Sequence, residues 1–333
     1  MYNFHIPRTI SPEAQEYLEI LNEEAVCDPF PAVDDLQGWK LQHELNEAYF
    51  KELDADTVAE FEPTLAETEM KGVQVIDIRP KNWHDNGKVL VYVHGGAYVL
   101  FSAQTTLVGS VPLADVTGLR VISVDYSLAP FARFPAAIEQ VVSVMQALME
   151  AGYSPGDIAI CGDSAGGALA AGATLKMRDD GLPMPAAVVL WSPWSDITRT
   201  GDTYYTLFGQ DTLDYENQLR AAAAAYADPQ DHKHPYISPA YADYTRGFPP
   251  TLIQGGTKEI FLSNFIRHYQ ALDQAGIEVK LDLYEGMWHV FQALGVMDIP
   301  EVVLALGKTA GFLKRTLLST DSENGLSGLL TAD

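Results

Sequence analysis

The hexapeptide Gly162-Asp163-Ser164-Ala165-Gly166-Gly167 constrains this chain more than any other feature, because of what flanks it. Before it runs an apolar stretch at 158–161 that reads as a buried strand, and after it a helical pattern at 165–178. Only a tight strand-to-helix turn needs so many small residues in a row. Glycines two before and two after a serine let the chain reverse sharply. The hydroxyl is then held out of the carboxyl edge of a sheet, at a helix N-terminus whose dipole favours developing negative charge. A packing turn whose serine merely caps the helix would use the same residues. The rest of the chain has to decide between the two.

Around that turn, strands and helices alternate. Strands are predicted at 73–78, 89–93, 121–124, 158–161, 187–191, 251–254 and 278–284, and helices at 136–151, 165–178, 260–275 and 298–316. Several of the strands are near-continuous apolar runs, as expected when both faces of a sheet are covered. The rhythm predicts an α/β fold with a mostly parallel sheet between helical layers. Before it, residues 1–66 read as an acidic helical segment. Ser11-Pro12-Glu13 makes a helix start, and a second helix is predicted near 38–53. A helical insert at 199–234 interrupts the alternation and, with the N-terminal helices, could cap the sheet's carboxyl edge. The expected organisation is therefore cap segment 1–66, core 67–198, cap insert 199–234, core 235–318 and a fraying tail at 319–333.

Composition excludes several function classes. The 333 residues carry 45 acids and 21 Lys plus Arg, a formal charge of −24, which disfavours nucleic acid and anionic lipid as partners. The two cysteines, Cys27 and Cys161, form no disulfide framework and lack zinc-site spacing. No basic leader opens the chain and no run of 18 apolar residues occurs. A soluble, cytoplasmic protein without membrane association is expected.

A serine hydroxyl is a weak nucleophile and needs a base, an orienting acid and donors for an oxyanion. His289 lies just after the last predicted strand, where a base would be placed. Glu259 is the only carboxylate in the turn after strand 251–254, although a first-turn Glu could equally serve a helix dipole. The charge of Glu259 is expected to raise the pKa of His289. His94-Gly95-Gly96-Ala97 follows strand 89–93, where backbone N–H groups of Gly95, Gly96 and Ala97 could face an oxyanion beside the N–H of Ala165. His94 reads as an anchor of that loop. His5, His43, His84 and His268 lie in helical or polar surface segments with no catalytic role expected. Asp231-His232-Lys233-His234 lacks a third ligand, so no metal is expected there or elsewhere.

With these residues in place, the sequence resembles the hormone-sensitive lipase family of α/β-hydrolase esterases over roughly residues 70–316. Linked motifs carry the resemblance: His94 to Ala97; Asp125-Tyr126-Ser127-Leu128-Ala129-Pro130 running into Phe134-Pro135; Gly162 to Gly167; Ser192-Pro193-Trp194-Ser195-Asp196; Ser238-Pro239; Phe248-Pro249-Pro250; and His289-Val290-Phe291-Gln292. The resemblance implies an eight-stranded sheet with a helical cap, and hydrolysis of short- to medium-chain carboxylic esters without a cofactor. It assigns Ser164 as nucleophile, His289 as base and Glu259 as acid, with Gly95, Gly96, Ala97 and Ala165 around the oxyanion. It extends to this chain the homodimer common in the family. A lactone hydrolase would use the same residues, and a non-catalytic small-molecule receptor on this scaffold is the reading from another class. Three departures stand out. Ala97 replaces a third glycine. Ser127 and Phe131 replace an Arg and an acid, so a bracing charge pair is absent together with both of its partners.

Overall fold

A computed structural model describes residues 5–24, 28–294 and 298–326; Cys27 lies outside them. Eight strands form one sheet in the order β1-β2-β4-β3-β5-β6-β7-β8. They are β1 (Thr64–Met70), β2 (Val73–Arg79), β3 (Val89–Val93), β4 (Arg120–Asp125), β5 (Ile158–Asp163), β6 (Ala187–Trp191), β7 (Thr251–Gly256) and β8 (Val279–Tyr284). From β4 to β8 all neighbours are parallel, whereas β1 and β2 run antiparallel at one edge. The α/β fold and the mostly parallel eight-stranded sheet are as expected.

Alternation along the strands explains the two layers. On β3, Val89, Val91 and Val93 face α4 (Ala136–Glu150), α5 (Ser164–Asp179) and α8 (Leu262–Gln274). Leu90 and Tyr92 point the other way, into the core shared with α1 (Pro12–Glu24), α3 (Leu107–Thr117) and α9 (Pro300–Leu326). Buried apolar runs at the sheet's centre follow from cover on both sides.

Three differences from the sequence reading have physical causes. Strand Thr64–Met70, which starts inside the segment read as helical, was given no element by the sequence: an exposed edge strand rich in Glu and Thr carries no apolar alternation. The helix at Leu107–Thr117 was not anticipated, since Gly109 and Pro112 interrupt its pattern and its first eight residues are all buried. Residues 319–326, read as tail, continue α9, and residues 327–333 lie outside the described part.

The N-terminal helices divide between two jobs. Ser11 starts α1 as expected, its Oγ accepting the Ala14 N–H at 3.1 Å and donating to Glu301 Oε2 at 2.7 Å, which docks α1 on α9. By contrast α2 (Leu36–Phe61) lies on α3 and over the loop after β3, where Phe50 meets Phe101 edge-on at 4.8 Å. The insert adds α6 (Thr203–Thr206) and α7 (Arg220–Tyr226). Phe30, just before α2, donates its N–H to the insert's Asn217 carbonyl at 2.9 Å.

Candidate active site

Sheet register brings distant residues to one edge. Val93 is level with Gly162, Asp163 with Trp191, and Gly256 with Tyr284, so the turns leaving β3, β5, β6, β7 and β8 open on the same side. Strand order reverses between β3 and β5, the place where open α/β sheets form a crevice.

Ser164 begins α5 at φ 51°, a left-handed conformation that non-glycine residues rarely adopt. The flanking glycines are required sterically: a Cβ on Gly162 would overlap the Gly166 carbonyl, and one on Gly166 the carbonyls of Val93 and His94. Ser164 Oγ lies 2.9 Å from His289 Nε2, and His289 Nδ1 lies 2.8 Å from Glu259 Oε2. Glu259 Oε1 accepts the Gly256 N–H at 2.5 Å and the Ser192 hydroxyl at 2.8 Å. The structure thus brings together Ser164, His289 and Glu259 from three separate turns.

Electrostatics in this crevice are set by burial. Full burial pushes the Glu259 carboxyl up, while the Gly256 N–H and the Ser192 hydroxyl pull the other way. Burial lowers the pKa of His289 from 6.5, opposed by the carboxylates of Asp211 and Asp163. That reverses the expected rise: desolvating the imidazolium outweighs the neighbouring negative charge. Asp163, also fully buried, is pushed up to about 6. Its Oδ1 accepts the Tyr92 hydroxyl at 2.6 Å and the Gly95 N–H at 3.0 Å.

That last bond separates the four residues around the expected oxyanion. The Gly95 N–H is committed to Asp163, whereas no hydrogen bond among the described residues uses the N–H groups of Gly96, Ala97 or Ala165. Gly96 needs its glycine, at φ 96° with a Cβ that would strike the Leu100 carbonyl. His94 anchors the loop: its Nδ1 is 2.8 Å from the Gly95 carbonyl, and its ring stacks on Tyr126 at 4.2 Å. Tyr126 in turn donates to the His94 and Gly95 carbonyls at 2.9 and 3.1 Å.

Three other histidines have local partners. His268 is not on the surface, as its helical segment suggested. The inner face of α8 buries it fully between Ser195 Oγ and the Tyr244 hydroxyl, at 2.8 and 2.7 Å. His232 and His234 face backbone atoms of Ala227 and Tyr236.

Comparison with known proteins agrees with this architecture. The family described as having the alpha/beta hydrolase fold matches residues 90–293. An acetyl-hydrolase of Streptomyces hygroscopicus is 36% identical over 71% of this chain and 78% of its own. An esterase of Acinetobacter venetianus is 37% identical over 68% of this chain and 74% of its own. A crystal structure of an esterase from the bacterial hormone-sensitive lipase family superposes with a TM-score of 0.80 at 31% identity, covering 92% of this chain and 99% of that one.

The chain belongs to the hormone-sensitive lipase family of α/β-hydrolases.

Two of the three departures, Ser127 and Phe131, have local partners. Where a charge pair is absent, Gln140 on α4 bonds Ser127 twice: its Oε1 accepts the Ser127 N–H at 2.8 Å, and its Nε2 donates to Ser127 Oγ at 2.9 Å. The brace on this loop is therefore neutral. Phe131 meets His43 of α2 edge-on at 5.7 Å, giving this hydrolase a contact between that loop and α2. Two residues beside the site, Ser192 and Asp211, have no role that the sequence assigns. Ser192 stood inside a recognised motif, and its position directly after β6 was the available signal. Asp211 had none, because only folding brings the insert to the turn after β7.

Proposed function

We infer that this hydrolase is a serine carboxylesterase acting on short- to medium-chain esters. The observation that carries the reading is the continuous relay from Ser164 Oγ through His289 to Glu259, with contacts of 2.9 and 2.8 Å. Ser164 Oγ attacks the ester carbonyl while His289 Nε2 takes its proton. Glu259 holds Nδ1–H and stabilises the imidazolium that forms. The N–H groups of Gly96, Ala97 and Ala165 receive the oxyanion, in a crevice where burial strengthens each bond. His289 then protonates the leaving alcohol, and a water activated by the same imidazole releases the acid and regenerates Ser164.

Relatives named esterase and acetyl-hydrolase support a small acyl group. Among the described residues no helix is long and apolar enough to cross a membrane. A fluorophosphonate probe should label Ser164, and p-nitrophenyl acetate and butyrate should be hydrolysed faster than the palmitate. Ser164→Ala should lose several orders of magnitude in kcat with the fold intact. More than a few per cent residual turnover in the purified variant would overturn the reading.

A further inference from the structure

Asp211 is an aspartate of the cap insert that reaches the catalytic turn. It is 1% exposed, and its Oδ2 accepts the Ile260 N–H at 2.6 Å. Oδ1 accepts the Leu213 N–H at 3.2 Å. Ile260 directly follows Glu259, so the peptide unit joining them is held by the insert. On the other side of the same residue, Thr203 Oγ1 donates to the Ile260 carbonyl at 2.7 Å. Thr203 is itself fixed to α8 through Ser263, whose N–H bonds its Oγ1 at 2.9 Å. Two insert residues therefore clamp both peptide units that flank Ile260.

A neutral acceptor such as Asn would satisfy the Ile260 N–H. Burying a carboxylate instead is costly unless its charge is used. The charged groups facing His289 are Glu259 from the turn after β7, Asp163 from the end of β5 and Asp211 from the insert. Those facing Asp211 are His289 and Glu259.

Building on the esterase reading, we propose that Asp211 is a positioning residue that locks the Glu259 turn to the cap insert and adds its negative charge to those of Glu259 and Asp163 around the imidazolium of His289. Cap placement and catalytic geometry are thereby linked through one carboxylate. Burial pushes Asp211 up to about 6, so its charge is present at neutral pH, where His289 must work.

The test compares Asp211→Asn and Thr203→Val with wild type, reading kcat, KM for p-nitrophenyl butyrate and the imidazole titration of His289 by NMR. Asp211→Asn keeps an acceptor and removes the charge. The His289 titration should move to lower pH and kcat should fall about tenfold, with KM within about twofold. Thr203→Val removes the other half of the clamp and keeps the charge, so kcat should fall while the His289 titration stays in place. An unchanged His289 titration in Asp211→Asn overturns the electrostatic role, and unchanged kcat in both variants overturns the clamp. Failure of the esterase reading would be seen differently, as wild-type protein that neither turns over esters nor is labelled at Ser164.

Discussion

Ser192 Oγ donates to Glu259 Oε1 at 2.8 Å and accepts the Val290 N–H at 3.1 Å. One hydroxyl thus ties the Glu259 turn to the His289 turn. Both Ser192 and Val290 sit at left-handed φ, 46° and 53°, and Val290 is β-branched, a conformation that persists only where surrounding bonds enforce it. Ser192→Ala removes the donor to a buried carboxylate and frees the Val290 N–H. A hydrogen bond to a charged group is worth about 1.5–3 kcal/mol. We expect kcat to fall about tenfold, far less than the ~10³-fold or more expected of Glu259→Gln by analogy with triad acids. Equal losses in the two variants would mean that Ser192, not the charge on Glu259, dominates.

Activity should rise from acid to neutral pH with a limb centred below 6.5. Proton transfer from Ser164 needs neutral His289, and burial holds its pKa below the ordinary value, which extends the neutral form to lower pH. Asp163 and Asp211 both titrate at about 6, so the limb should report coupled groups instead of one clean ionisation. Measuring kcat/KM between pH 4 and 9 checks this. A midpoint above 6.5 would contradict the burial argument.

Tyr92→Phe should disturb the His94–Ala97 loop from beneath. It leaves Asp163 with one donor fewer, in a place where the second, the Gly95 N–H, positions that loop. Loss of stability of about 2 kcal/mol in urea unfolding is expected, together with a several-fold fall in kcat. Unchanged stability would show that Asp163 is already protonated at neutral pH and needs no donor from Tyr92.

Ala97→Gly should change alcohol selectivity more than stability. Ala97 is 7% exposed at φ 53°, so glycine relieves left-handed crowding while adding chain entropy, and the two effects nearly offset. Removing the methyl next to the proposed oxyanion donors gives a branched alcohol more room. A methyl-sized mismatch is worth about 1–3 kcal/mol. The kcat/KM ratio for tert-butyl acetate over ethyl acetate should rise about tenfold, and an unchanged ratio would place the Ala97 side chain away from the alcohol.

By itself the sequence determined the central sheet, because strands buried on both faces must be apolar almost throughout and are bounded by helical periodicity. It also singled out Ser164, His289 and Glu259 as candidates, since each lies in the turn after a strand, and a parallel sheet gathers such turns at one edge. The exposed strand Thr64–Met70 left no such pattern, its sequence being selected by solvent on nearly every side chain. Only tertiary structure decided that the Gly95 N–H is committed to Asp163 while those of Gly96 and Ala97 bond no other described residue, because that depends on loop geometry and not on residue type. The direction of the His289 shift was likewise settled by burial, which acts through the whole fold. The approach of Asp211 to the turn of Glu259 joins segments with no local signal in common, so packing of the insert alone creates it.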